Sequence, residues 1–178
     1  MRRYLPFLLA VVFLAGCAGA QKKPSWILKG AGAFPKGNKV LYGVGLAEGI
    51  NSESLRRTTA DNRAIAEVSK QVSVMSTSLM RDYMSSANAT EKQKSSGEQY
   101  VENTAKTFSS NTVSGIKITD RWDDGKKCYS LAELNIDDLK QMAENMKELN
   151  RKVKEYIKAN AEEAFDKLEA EQEKQENK

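Results

Sequence analysis

The chain has 178 residues, 40% of them hydrophobic and 29% charged, and a formal net charge of +4 from 28 Lys+Arg against 24 Asp+Glu. That suits one domain with a tail; a mean hydropathy of −0.60 is too polar for a polytopic membrane protein, and the near balance of charge leaves no dominant basic field for nucleic acid. With no histidine and only two cysteines, Ser-His-Asp triads, Cys-His pairs, His-ligated zinc and all-cysteine zinc sites are excluded.

Arg2 and Arg3 precede an apolar run from Leu5 to Leu14, broken only by Pro6. The small residues Ala15 and Gly16 come next, then Cys17. This is the pattern of a secretory signal peptide over residues 1–16, since a run of about ten apolar residues is half of what a spanning helix needs. Leu14-Ala15-Gly16-Cys17 resembles the bacterial lipobox. That resemblance implies cleavage between Gly16 and Cys17, a diacylglycerol on the Cys17 sulfur and an acyl chain on its amine. Each methylene buried in the bilayer contributes about 0.8 kcal/mol, so several chains anchor stably. The alternative is an ordinary signal peptide with a chance Cys at its end. Ala18, where enterobacterial sorting would read an Asp as a retention signal, points by resemblance to the outer membrane. Loss of Arg2 and Arg3 with the signal leaves the mature chain close to neutral. Cys128 is then left alone, as a small buried hydrophobe or as one half of an intermolecular disulfide.

Residues 17–24 form a short tether of small and polar residues ending in Pro24. Trp26, Ile27 and Leu28 open the apolar sequence, and Gly30, Gly32, Pro35 and Gly37 place a loop over 29–39. Val40 to Gly45 reads as a strand. Asn51 or Ser52 caps a helix from about Glu53 to Gln71, with Leu55, Ile65, Val68 and Val72 on one stripe and Ala60 and Ala64 beside it. Val72-Ser73-Val74-Met75 begins a second strand, and the run to Tyr83 fits strand or helix. Residues 85–96 have no apolar period and read as a loop. Tyr100, Val101, Ala105 and Phe108 mark a short helix. Ile116 and Ile118 lead to Trp122 as a half-buried strand, Asp123-Asp124-Gly125-Lys126 turns a hairpin, and Tyr129, Leu131, Ala132, Leu134 and Ile136 return.

Apolar residues then recur at Leu139, Met142, Met146, Leu149, Val153, Ile157, Ala161, Ala164 and Leu168, about 3.6 residues per step, which is one face of a straight helix. Leu139, Met142, Met146, Leu149, Val153 and Ile157 are the candidate self-association face: they dock on their own domain as core or pack against a second subunit. Residues 169–178 are almost wholly polar and are expected to fray. The order of elements predicts an α+β domain over 25–138. About four strands form a small mixed or antiparallel sheet with helices on one face, followed by a long C-terminal helix over 139–168.

Gly43-Val44-Gly45-Leu46-Ala47-Glu48-Gly49 joins a strand to a helix, but its spacing is G-x-G-x-x-x-G and no acidic strand end follows at about twenty residues. The glycines are expected to serve a tight turn and close packing rather than a dinucleotide. Asp120, Asp123 and Asp124 surround Trp122 and are weak candidates for calcium or an acid/base pair, without the spacing of a calcium loop. Trp26 and Trp122 read as core aromatics before ligand platforms. No catalytic group, metal or cofactor beyond the acyl chains is expected, because no nucleophile, base and orienting group assemble from these motifs.

Several of these residues carry a resemblance. Pro24-Ser25-Trp26 lies just past the acylated Cys, Tyr42-Gly43-Val44-Gly45-Leu46-Ala47 precedes a helix holding Asp61-Asn62-Arg63-Ala64, a Val/Ser segment follows, and Trp122-Asp123-Asp124-Gly125 leads to Tyr129-Ser130-Leu131-Ala132. Over residues 24–138 the chain resembles the twenty-kilodalton outer-membrane lipoprotein (Lpp-twenty) family. Asn62 stands where that family commonly has a small residue. The resemblance implies a non-enzymatic lipoprotein, facing the periplasm or the surface, with a structural or assembly role in the bacterial cell envelope. It also implies a domain that associates with itself or with an envelope complex; some relatives surround the flagellar motor and others are surface antigens. A binding module for peptidoglycan or a host molecule is the alternative.

Overall fold

The computed structural model describes residues 22–86 and 94–176. The expected signal peptide through Gly16, and Cys17 after it, lie outside the described residues, as does 87–93 within the expected loop. The elements run α1 (Trp26–Lys29), β1 (Val40–Glu48), α2 (Glu53–Ser86), α3 (Lys94–Thr112), β2 (Lys117–Asp123), β3 (Lys127–Asn135), α4 (Ile136–Asn145) and α5 (Arg151–Glu176). The fold is α+β, as the sequence predicts. Among the described residues the sheet has three strands, not four, in the antiparallel order β1-β3-β2.

The missing strand is a helix. Val72-Ser73-Val74-Met75 continues α2 to Ser86 without a break. Two β-branched residues in four suggest a strand. The longer pattern decides otherwise, because Val68, Val72, Met75, Leu79 and Met80 are all buried at helical spacing. The hydroxyls in the segment turn back onto the helix: Ser76 Oγ donates to Val72 O at 2.6 Å and Thr77 Oγ1 to Ser73 O at 2.9 Å. At the other end Ser52 caps, its Oγ accepting from Leu55 N at 3.4 Å. The inward stripe is also rotated from the expected one. Leu55 is 57% exposed, while Arg56, Ala60 and Ala64 are buried.

The alternation of β1 sends Leu41, Gly43, Gly45 and Ala47 to one face, where α2 crosses. Register pairs Gly43 with Ala132, Gly45 with Ser130 and Ala47 with Cys128. The main core lies on this face. It joins Leu41 and Leu134 to Val68 and Val72 of α2, Phe108 of α3, Leu139 of α4 and Ile157 of α5. The opposite sheet face carries Tyr42, Val44, Trp122, Tyr129 and Leu131, and it is not bare. The segment from Trp26 to Phe34 folds across it, with Trp26 buried and Phe34 stacked on Tyr42 at 3.9 Å between ring centroids. The expected loop over 29–39 thus serves as a strap, which composition alone does not disclose.

The straight helix expected over 139–168 is two helices. α4 ends at Asn145, Met146 turns extended with ψ 122°, and α5 begins at Arg151. Asn150 caps α5 by accepting from Val153 N at 3.0 Å, as Asn135 caps α4 by accepting from Asp137 N at 2.8 Å. Helical spacing survives the break because both helices face the same core. The tail is more ordered than its polarity suggests, since α5 continues to Glu176 and Glu173 pairs with Lys36 at 2.5 Å.

Candidate functional site

The three aspartates around Trp122 point to different places. Asp120 shares the strap face of β2 and accepts from Trp26 Nε1 at 2.8 Å through Oδ2. Asp123 faces α2, accepting from Arg56 Nη2 at 3.1 Å and from the hairpin amide of Gly125 at 2.8 Å. Asp124 caps the turn, accepting from Lys126 N at 2.9 Å and Lys127 N at 2.7 Å. These amides hold its carboxyl below the usual range. Gly125 supplies the positive φ, 87°, that the tight turn needs. The carboxylates do not converge, and no metal-holding group of three occurs among the described residues. The geometry lends no support to the weak calcium and acid/base readings of Asp120, Asp123 and Asp124: each carboxylate makes hydrogen bonds within the fold.

The richest polar cluster lies between α2 and the hairpin. Arg56 is buried, with Nη1 donating to Ile50 O at 3.0 Å and its fork on Asp123. One turn along α2, Asp61 accepts from Arg121 Nε at 2.8 Å, Arg121 Nη2 at 3.0 Å and Ser130 Oγ at 2.7 Å. Glu53, Ser54, Arg57, Thr58, Asp61 and Arg121 line a shallow groove of about 430 Å³ beside it. Burial pushes the Asp61 carboxyl up, but the hydrogen bonds from Arg121 and Ser130 and the charges of Arg121 and Arg57 outweigh it and leave the group below its usual range. A depressed carboxylate stabilises the fold above its unfolded pKa, and that stability is lost as pH falls through the folded value. Asp61→Asn should therefore cost about 1 kcal/mol or less near neutrality, since Arg121 is half exposed. The cost should shrink and then vanish at a pH below the depressed folded value, where the wild-type carboxylate is protonated too. Urea midpoints at the two pH values check this, and an equal deficit at both contradicts it.

Arg56, Asp61, Arg121 and Ser130 did not emerge from the sequence as a cluster. Arg56 and Asp123 are 67 residues apart and Asp61 and Ser130 are 69 apart, so no local spacing joins them. Asp61 and Ser130 appear only among the residues that carry the family resemblance.

The glycines of the strand-to-helix turn do what close packing demands. A Cβ on Gly45 would lie 2.0 Å from Ala60 O, and one on Gly43 would lie 2.4 Å from Ala64 O. Their backbone is filled by helix α2, which leaves no room for a pyrophosphate. Trp26 and Trp122 are both buried in the strap cluster. Of the two expectations for the candidate self-association face, docking on its own domain is what the structure shows: Leu139, Met146, Leu149, Val153 and Ile157 are buried within this chain, with Met142 packed beside them. Cys128 is buried, and burial together with the nearby Asp123 charge pushes its thiol up. Its reaction with an aromatic disulfide reagent at neutral pH should follow global unfolding. A fast reaction in the native state contradicts that burial.

No protein-family model matches the chain, and no curated protein matches it.

Proposed function

We propose that this chain is a non-enzymatic bacterial lipoprotein, anchored through acyl chains on Cys17 to the outer membrane, with a structural or assembly role in the cell envelope. The observation that carries the reading is a spacing. The lipobox-like Leu14-Ala15-Gly16-Cys17 stops just short of Trp26, the first residue packed into the fold. The residues between can span at most about 30 Å, so acyl chains on Cys17 hold the strap side of the domain near the bilayer. The polar side chains near the hairpin support a non-enzymatic role, because Asp61, Asp120, Asp123 and Asp124 are each committed to fold contacts. With Leu139–Ile157 consumed as core, contacts to an envelope complex or a second copy fall on other surfaces. The Lpp-twenty resemblance extends the proposal to envelope machines such as the flagellar surround. A binding module for peptidoglycan or a host molecule is the second reading, favoured by the charged groove of Arg57, Asp61 and Arg121.

Cys17→Ser should leave the protein out of the membrane fraction and abolish labelling by radioactive palmitate in growing cells. Wild-type palmitate labelling and membrane recovery in the variant would overturn the anchor.

A further inference from the structure

We infer that the domain carries its own membrane-docking edge: Lys22, Lys23, Leu28 and Lys29 seat on an anionic phospholipid surface. Charge is distributed very unevenly along the chain. All 24 acidic residues lie at Glu48 or beyond it, while Lys22, Lys23, Lys29, Lys36 and Lys39 precede it. The last two of these lysines are neutralised by α5, Lys36 on Glu173 and Lys39 on Asp166. Lys22 and Lys29 are exposed and make no ion pair among the described residues. Lys23 lies 5.0 Å from the Trp122 ring centroid, and its charge is felt at Asp124.

The second observation is Leu28, which is 85% exposed. One exposed leucine has no meaning by itself. This one stands on a turn whose other apolar residues, Trp26 and Ile27, pack into the strap cluster. The indole of Trp26 is tied to Asp120 at 2.8 Å. The turn is therefore pinned to the sheet, and its outward residue is an apolar tip beside Lys29. Lysines that meet lipid headgroups around an apolar tip that enters the interface are the two components of peripheral membrane binding. The other exposed large apolar residues, Leu55, Val74, Tyr100 and Val113, sit on α2, α3 and the turn after it, in the part of the chain that holds every carboxylate. The near balance of charge in the mature chain hides this edge, since acidic residues elsewhere offset it in the total.

This deepens the anchoring proposal and rests on it for context. The acyl chains hold the protein at the bilayer at high effective concentration, and the lysine edge sets which side of the domain faces the lipid. The edge is testable without the lipid. Every described element lies within residues 22–176, so the chain from residue 17 onward with Cys17→Ser carries the whole fold, which circular dichroism verifies.

Its cosedimentation is measured with vesicles of equal parts phosphatidylglycerol and phosphatidylcholine, and with vesicles of phosphatidylcholine alone. Binding is expected to the anionic vesicles only, and to weaken with added salt. Lys22→Gln with Lys29→Gln should lower the partition coefficient about 25-fold, at about fivefold per lysine. Leu28→Ser should lower it several-fold at unchanged charge. Lys70→Gln with Lys106→Gln, on exposed positions of α2 and α3, should leave it unchanged. Equal binding to both vesicle types, no binding to either, or an equal loss from the two lysine pairs overturns the proposal. None of these outcomes touches acylation, because the tested chain carries no acyl group. Conversely, absence of palmitate labelling removes the anchor and leaves the vesicle result standing.

Discussion

Asp123→Ala should lower the stability of the domain by about 3–5 kcal/mol, a large share of the total for a domain of this size. The Arg56 side chain is only 5% exposed, and the Asp123 carboxylate accepts from both its Nε and its Nη2. Removing the acid leaves a guanidinium in the interior, held by the Ile50 carbonyl through Nη1. It also removes the acceptor for the Gly125 amide at the hairpin. Breaking one side of a buried pair costs more than the pair contributes, because the survivor keeps its desolvation penalty. Replacing both partners with apolar side chains, Arg56→Met with Asp123→Leu, should therefore recover most of the loss. Chemical denaturation of the two variants beside wild type measures this. A deficit in Asp123→Ala no larger than that of Lys117→Ala, whose pair with Asp138 is exposed, would show that water reaches the Arg56 guanidinium.

The pattern of what was legible follows from the range of each interaction. β1, the hairpin and β3 stood out because alternation and the Asp-Gly turn are local signals. The strand expected at Val72–Met75 is helix, because its two valines give a local strand signal while the helical burial pattern shows only in a window running to Met80. The break at Met146–Asn150 was invisible to spacing, since α4 and α5 keep their apolar residues in phase on one core, although Asn150 is a capping residue that could have marked it. The stripe of α2 is rotated from the expected one, toward Ala60 and away from Leu55, because β1 presents glycines where the helix crosses. The polar cluster of Arg56, Asp61, Arg121, Asp123 and Ser130 depends on pairs sixty or more residues apart, and the strap depends on Trp26 reaching Asp120. Those contacts exist only once the sheet has brought the two ends of the domain together.

Gly45→Ala should unfold the domain or cost more than about 3 kcal/mol, at or beyond the upper end for overpacking. Elsewhere in a protein the same exchange often stabilises by about 0.4–1 kcal/mol, by restricting the unfolded chain. At Gly45 the three atoms nearest the added Cβ are all backbone of α2: Ala60 O at 2.0 Å, Ala64 N at 2.4 Å and Arg63 C at 3.0 Å. No side chain can swing away, so α2 must lift from the sheet. Lifting it separates Arg56 from Asp123, Asp61 from Arg121 and Ser130, and Gln71 from the Tyr42 carbonyl it holds at 2.7 Å. Gly32→Ala is the matched control, since a Cβ there has nothing within 4 Å and the backbone needs no positive φ; it should be neutral or slightly stabilising. Thermal unfolding of the two variants separates the two roles a strand-to-helix glycine can have. A glycine kept for a phosphate gives a folded variant that has lost only its ligand. A glycine kept for helix packing gives a variant that has lost its fold. Wild-type stability in Gly45→Ala would mean that α2 does not approach β1 this closely, and the dinucleotide reading of Gly43–Gly49 would then reopen.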